Sequence, residues 1–261
     1  MPRKTLIAAN WKMTKKIAEA EAFVNRMKLS LDSVAHCDLL IFPPFFAVPA
    51  VSNLLRGTPV GVGAQDLFWE DKGAFTGEIS GEMIRDAGAS HVLIGHSERR
   101  QVIGESNEVI HKKLLAAYRA GLIPILCVGE TLVQREAGEA KSIVKKQVTS
   151  SVSGLGESEM ARLVIAYEPV WAIGTGKTAT PDDAEEMHFF IRRLVAETSG
   201  SGVSENMVIQ YGGSVKPDNA ASLLGREHID GALIGGASLE VDSFLKIAQA
   251  SPGGWTVGTD L

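Results

Sequence analysis

Short apolar runs of strand length recur along this chain, at residues 6–9, 39–42, 60–64, 91–94, 123–128, 163–167, 207–211 and 231–234, with helical stretches between them. The intervals 110–118 and 143–152 show the amphipathic spacing well, and no hairpin turn signal joins one run to the next. Strands parted by helices must pair in parallel, because a parallel partner can be reached only through a crossover. About eight such units in roughly 250 residues is the count of a closed barrel; a doubly wound sheet has fewer strands and a clear nucleotide fingerprint. The expected fold class is α/β, a single-domain (β/α)8 barrel with parallel strands over residues 1–250. A Gly- and Pro-rich tail, 251–261, is expected to follow as a surface extension.

With 45% hydrophobic residues among 261, the chain can bury a large core. Its net charge of -5 provides no general basic surface, so neither nucleic acid nor a membrane is an expected partner, and an anionic ligand must be caught locally. The two cysteines, Cys37 and Cys127, lack metal-ligand spacing and point to a reducing compartment. The apolar run after Arg3 and Lys4 is too short for a signal peptide, and no run reaches membrane-spanning length. The expected location is the cytoplasm.

In a parallel barrel the chemistry gathers where the strands end, so the polar residues at those ends carry the functional reading. Asn10, Trp11 and Lys12 close the first strand; alternation puts Asn10 and Lys12 on one face and Trp11 on the other. His96 follows the fourth strand at the head of a polar run, where a starting helical turn would lower its imidazole pKa and leave it a neutral donor. Cys127, on the fifth, has no paired histidine after it and reads as a small packing residue. Gly212, Gly213 and Ser214 follow the seventh strand and Gly235 and Gly236 the eighth, positions where barrels commonly hold a phosphate on backbone N–H groups.

The sixth strand ends directly in Glu168, held out of the helical region by Pro169. The segment behind it mixes large apolar Trp171 and Ile173 with Gly174 and Gly176, as a hinged, water-excluding cover would. Thr180 then reads as an N-cap with Pro181 in the first helical position. Gly174, Gly176 and Ala179 also fit a dinucleotide fingerprint, and Gly176-Lys177-Thr178 the end of a P-loop. Context opposes both: residues 169–173 intervene after the strand, and Trp171 stands where the P-loop needs glycine.

This ordered set, Asn10-Trp11-Lys12, Gly95 to Arg100, Ala166 to Gly176, Tyr211 to Val215 and Gly235-Gly236, resembles the triosephosphate isomerase family from the first strand to the eighth. The resemblance implies a TIM barrel and the interconversion of dihydroxyacetone phosphate and D-glyceraldehyde 3-phosphate in glycolysis and gluconeogenesis. It implies Glu168 as base, His96 as electrophile, Lys12 and Asn10 as substrate contacts, Glu98 as the partner of Lys12, and Gly174, Ser214, Gly235 and Gly236 on the phosphate. It further implies a homodimer through the loop from Gln65 to Ile79, with Thr76 reaching the neighbouring site; Phe68, Trp69 and Phe75 make that loop costly to leave in water. The tail, and His91 in place of an aromatic, are the departures. Proton transfer through an enediolate needs a base, a donor and a cation, which Glu168, His96 and Lys12 supply without metal or cofactor. Two other readings share the glycine loops: a lyase or aldolase barrel, which would need a desolvated lysine, and a non-catalytic sugar-phosphate binder, which could dispense with Glu168 or His96.

Overall fold

The computed structural model describes residues 3–173 and 178–252. Its strands are β1 (Leu6–Asn10), β2 (Asp38–Phe42), β3 (Gly61–Ala64), β4 (His91–Ile94), β5 (Ile123–Val128), β6 (Val164–Tyr167), β7 (Ile209–Tyr211) and β8 (Gly231–Ile234). They pair in parallel in sequence order, and β8 returns to β1 to close the barrel. Each expected run falls on its strand within two residues. The run 207–211 starts late as a strand because Met207 gives its carbonyl to Arg192 Nη1, at 3.0 Å, before the ladder begins.

Side-chain alternation divides the apolar residues into two layers. Leu6, Ala8, Leu40, Phe42, Leu93, Cys127, Val164, Ala166 and Leu233 fill the barrel interior. Ile7, Ala9, Ile41, Val92, Ile165 and Ile234 face outwards and pack under the helices. Full burial of a branched side chain contributes about 1.5–3 kcal/mol relative to exposure, so a one-residue slip in any strand would forfeit several such terms. This phase also sets the site: continuing the interior rows of β1 and β6 upwards gives Asn10 and Glu168, while Trp11 lies in the outer layer edge-on to Phe23, centroids 5.0 Å apart.

The seam between β7, β8 and the N-terminus is fixed by buried charge. Arg192 donates to Asp230 Oδ2 at 2.5 Å and Arg3 Nε donates to Asp230 Oδ1 at 2.6 Å. The helix Pro181–Ser199 begins as its sequence indicates, with Thr180 Oγ1 accepting the Asp183 N–H at 3.1 Å. Cys127 is fully buried and behaves as a packing residue. Ser251, at the start of the expected tail, is buried and donates to Ala248 O at 2.7 Å; residues 253–261 lie outside the described residues.

The excursion after β3 is tied off where Phe68 N–H donates to Ile79 O at 2.8 Å. Phe68 stacks on Trp69 at 4.0 Å and meets Phe75 at 4.5 Å; Phe68 and Trp69 are half-buried, Trp69 packing against the outer core, while Phe75 and Thr76 are exposed.

Candidate active site

Asn10, Lys12, His96, Glu168, Ser214, Gly235 and Gly236 line one cavity of about 260 Å³ at the carboxyl ends of the strands. Ile173, Gly212, Gly213, Lys216 and Leu233 complete much of its wall. Seven of the expected site residues therefore converge there. Glu98 joins them through Lys12, its Oε1 2.5 Å from Nζ, and Gly174 lies outside the described residues.

Glu168 is placed by backbone clamps on both neighbouring strands. Its N–H donates to Val128 O at 2.7 Å, and the preceding Tyr167 carbonyl accepts Gly212 N–H at 2.7 Å. Two glycines make room for it: a Cβ on Gly129 would fall 1.7 Å from Glu168 O, and one on Gly212 would fall 2.7 Å from Glu168 Cγ. The carboxylate is buried; Oε1 stands 2.9 Å from His96 Nε2, and Oε2 accepts the Ser97 N–H at 2.8 Å.

His96 heads a short helical turn, its carbonyl accepting the N–H groups of Arg99 and Arg100. Arg100 holds that turn to the barrel through Gly95 O and Cys127 O, at 2.8 and 3.0 Å. The Glu98 N–H donates to His96 Nδ1 at 3.2 Å, which makes Nδ1 the acceptor and places the ring proton of a neutral imidazole on Nε2.

One expectation is corrected here. Burial does push the His96 imidazole down, but charge and hydrogen bonding from Glu168 outweigh it, so His96 stands above its ordinary value rather than below it. For Glu168 the same contact runs the other way: burial pushes the carboxyl up, while His96, the Ser97 N–H and Lys12 bring it below its ordinary value. The raised imidazole belongs to this arrangement of the pair.

Lys12 adopts φ 52°, a left-handed conformation that costs a non-glycine residue about 1–2 kcal/mol. Asn10 Oδ1 accepts its N–H at 3.0 Å and Gln65 Nε2 donates to its carbonyl at 2.8 Å, which holds the strained backbone in place. Gln65 also bonds Phe42 O, so the root of the 65–79 loop grips both β2 and Lys12.

Several participants escape the sequence reading. The Ser97 N–H and the missing Cβ of Gly212 act on Glu168 through backbone proximity, for which sequence spacing holds no sign. Glu130 is fully buried and accepts from Tyr167 OH at 3.1 Å, Trp171 Nε1 at 2.8 Å and Arg135 Nη1 at 3.3 Å, tying the segment after Glu168 to β5. An acid directly after the fifth strand was its available signal. Chemically, the site joins a buried carboxylate, an N–H donor and an ammonium around a small cavity, which suits moving a proton next to a carbonyl.

The triosephosphate isomerase family model matches residues 5–251. The chain is 52% identical over 250 residues to the triosephosphate isomerase of Roseiflexus sp. strain RS-1, covering 96% of this chain and 98% of that one. It is likewise 52% identical to that of Moorella thermoacetica, over 95% of this chain and 98% of the other. Among solved structures, triosephosphate isomerase from Bartonella henselae superposes with a TM-score of 0.86 at 38% identity, covering 95% and 98%. The chain belongs to the triosephosphate isomerase family.

Proposed function

We propose that Glu168, His96, Lys12 and Asn10 carry the isomerisation of dihydroxyacetone phosphate and D-glyceraldehyde 3-phosphate, the reaction of this enzyme's family in glycolysis and gluconeogenesis. Glu168 takes a proton from the substrate carbon next to the carbonyl and returns it to the adjacent carbon. His96 Nε2–H donates to the oxygens of the enediolate formed between these steps, giving its proton to one oxygen and taking back the hydroxyl proton of the other, and Lys12 offsets the negative charge, so both act where charge develops. Asn10 lies beside Lys12 and fixes its backbone. The phosphate rests against Ser214, Gly235 and Gly236, whose wall faces the same cavity.

The observation that carries this reading is the convergence of Glu168, His96 and Lys12 on one cavity of about 260 Å³, small enough to suit a three-carbon phosphate. A Schiff-base lyase is opposed by a specific contact: Glu98 lies 2.5 Å from Lys12 Nζ and engages it in an ion pair, where such a mechanism needs a desolvated lysine free to attack a carbonyl. Turnover of D-glyceraldehyde 3-phosphate by the purified protein in the presence of a chelator tests the reading. Isomerisation undiminished by the chelator is expected; its absence would overturn the assignment.

The functional unit is a homodimer, built through the 65–79 loop with Thr76 at the neighbouring site. Its support lies in the loops after β1, β2, β3 and β4, which carry exposed Met13, Phe46, Phe75, Val102 and Ile103 on consecutive sectors of the barrel top. Two free cysteines, one of them fully buried, accord with a reducing, cytoplasmic setting. Among the described residues no helix is long and apolar enough to cross a membrane.

A further inference from the structure

Two cations line the described part of the cavity, Lys12 and Lys216, and they differ in their partners. Lys12 is neutralised by Glu98 at 2.5 Å, whereas the exposed Lys216 has no ion pair among the described residues. The lining holds these two lysines and one carboxylate, Glu168, so Lys216 supplies its excess of positive charge; without it nothing in the lining would offset the adjoining Glu98, in a chain whose own net charge is -5.

The backbone of Lys216 is held firmly. Its N–H donates to Asn219 Oδ1 at 2.7 Å, and its carbonyl accepts the N–H groups of Asn219 and Ala220 at 3.2 and 3.0 Å. Asn219 Nδ2 in turn donates to Ser214 O at 3.1 Å, clasping Ser214 and Lys216 into one rigid turn. A long, freely rotating stem thus carries its charge from a fixed root two residues beyond Ser214.

We propose that Lys216 is the cation that draws the substrate's phosphate dianion into the cavity and onto the wall of Ser214, Gly235 and Gly236. This rests on the cavity being the triose phosphate site. Lys216 makes no bond to the reacting carbons, so its effect falls on capture, and it weakens as salt screens the charge.

The test is kcat/KM for D-glyceraldehyde 3-phosphate across ionic strength, in the parent and in Lys216→Gln, Lys216→Glu and Lys216→Arg. Lys216→Gln is expected to lower kcat/KM about tenfold at low salt, chiefly through KM, with Lys216→Glu lower still and Lys216→Arg near the parent; the gaps narrow as salt rises. The ratio of kcat/KM for this substrate over unphosphorylated glyceraldehyde should fall in step. Parent-like kcat/KM in Lys216→Gln at low salt would overturn the proposal, as would an equal loss on glyceraldehyde, which would make Lys216 a purely structural residue. Glu168→Asp assayed alongside separates the two readings: normal turnover there would remove the site assignment itself, and Lys216 with it.

Discussion

Glu168 rests its carboxylate on the imidazole of His96, Oε1 2.9 Å from Nε2, with the Ser97 N–H holding the second oxygen. The proposed base and the proposed donor thus occupy each other, and both must turn to substrate for the reaction to proceed. A carboxylate held this way is kept ionised until a ligand replaces its partners, while the Glu98 N–H keeps the proton of His96 on the nitrogen that faces the cavity.

Replacing His96 by Gln leaves an amide that can reach the cavity but lacks the imidazole's fixed donor. Because that donor matters most as charge develops on the substrate oxygen, kcat should fall about 10²–10³-fold with a smaller change in inhibitor affinity. Steady-state kinetics with a competitive inhibitor measure both; equal losses would make His96 structural.

Gly212→Ala places a methyl 2.7 Å from Glu168 Cγ and 3.3 Å from Tyr167 O. The backbone there cannot yield, so the carboxylate must move, and a displacement of about 1 Å can cost on the order of 10² in rate. Folding should persist. A near-parent kcat in a folded Gly212→Ala protein would show that the fit of glycine against Glu168 is incidental.

Two histidines whose pKa values burial lowers contribute to the acid limb of stability. Burial pushes His188, packed edge-on to Tyr167, down to about 3, and His91 down to about 4. For a histidine with a depressed folded-state pKa, the unfolded chain takes the proton first. Stability is therefore full above about pH 6.5 and declines as the pH falls towards the folded values, by about 1.4 kcal/mol per unit for each residue at most. In urea unfolding between pH 7 and 4.5, His188→Gln should show a shallower loss than the parent. Parallel pH profiles would contradict the assignment.

Assembly offers a separate check. The protein should sediment at twice the 27.8 kDa of one chain, and Phe75→Glu, a charge on the exposed tip of the loop, should favour the monomer. Because Gln65 at the root of that loop holds the Lys12 carbonyl, monomerisation should also lower kcat by about tenfold or more. A fully active monomer at assay concentration would remove the dimer from the account.

The barrel is legible in the sequence because the strands are mostly apolar runs parted by helical stretches, and their two-residue period decides which side chains face inwards. Alternation puts Asn10 and Lys12 on one face, and the end of the sixth apolar run before Pro169 marks Glu168. What escapes is set by approach in space. Ser97 reaches Glu168 across 71 residues of sequence, and Glu130 finds Tyr167 and Trp171 on the neighbouring strand and the loop beyond it. The direction of the His96 shift depends on a carboxylate from another strand, which no local helix dipole reveals. Phe68 and Trp69 look like interface residues by composition, yet they stack on each other and Trp69 packs against the outer core of its own barrel.

The most direct test of the proton-transfer assignment is the isomerisation of D-glyceraldehyde 3-phosphate in deuterated water by the parent and by Glu168→Asp. The shorter side chain withdraws the carboxylate about 1 Å from the substrate carbon, so Glu168→Asp should turn over on the order of 10²-fold more slowly with KM little changed. In the parent, dihydroxyacetone phosphate should carry solvent deuterium at the carbon that received the proton. A Glu168→Asp enzyme with a parent-like kcat, or product formed by the parent without any deuterium even at high dilution, would contradict the role of Glu168 as a solvent-exchanging base.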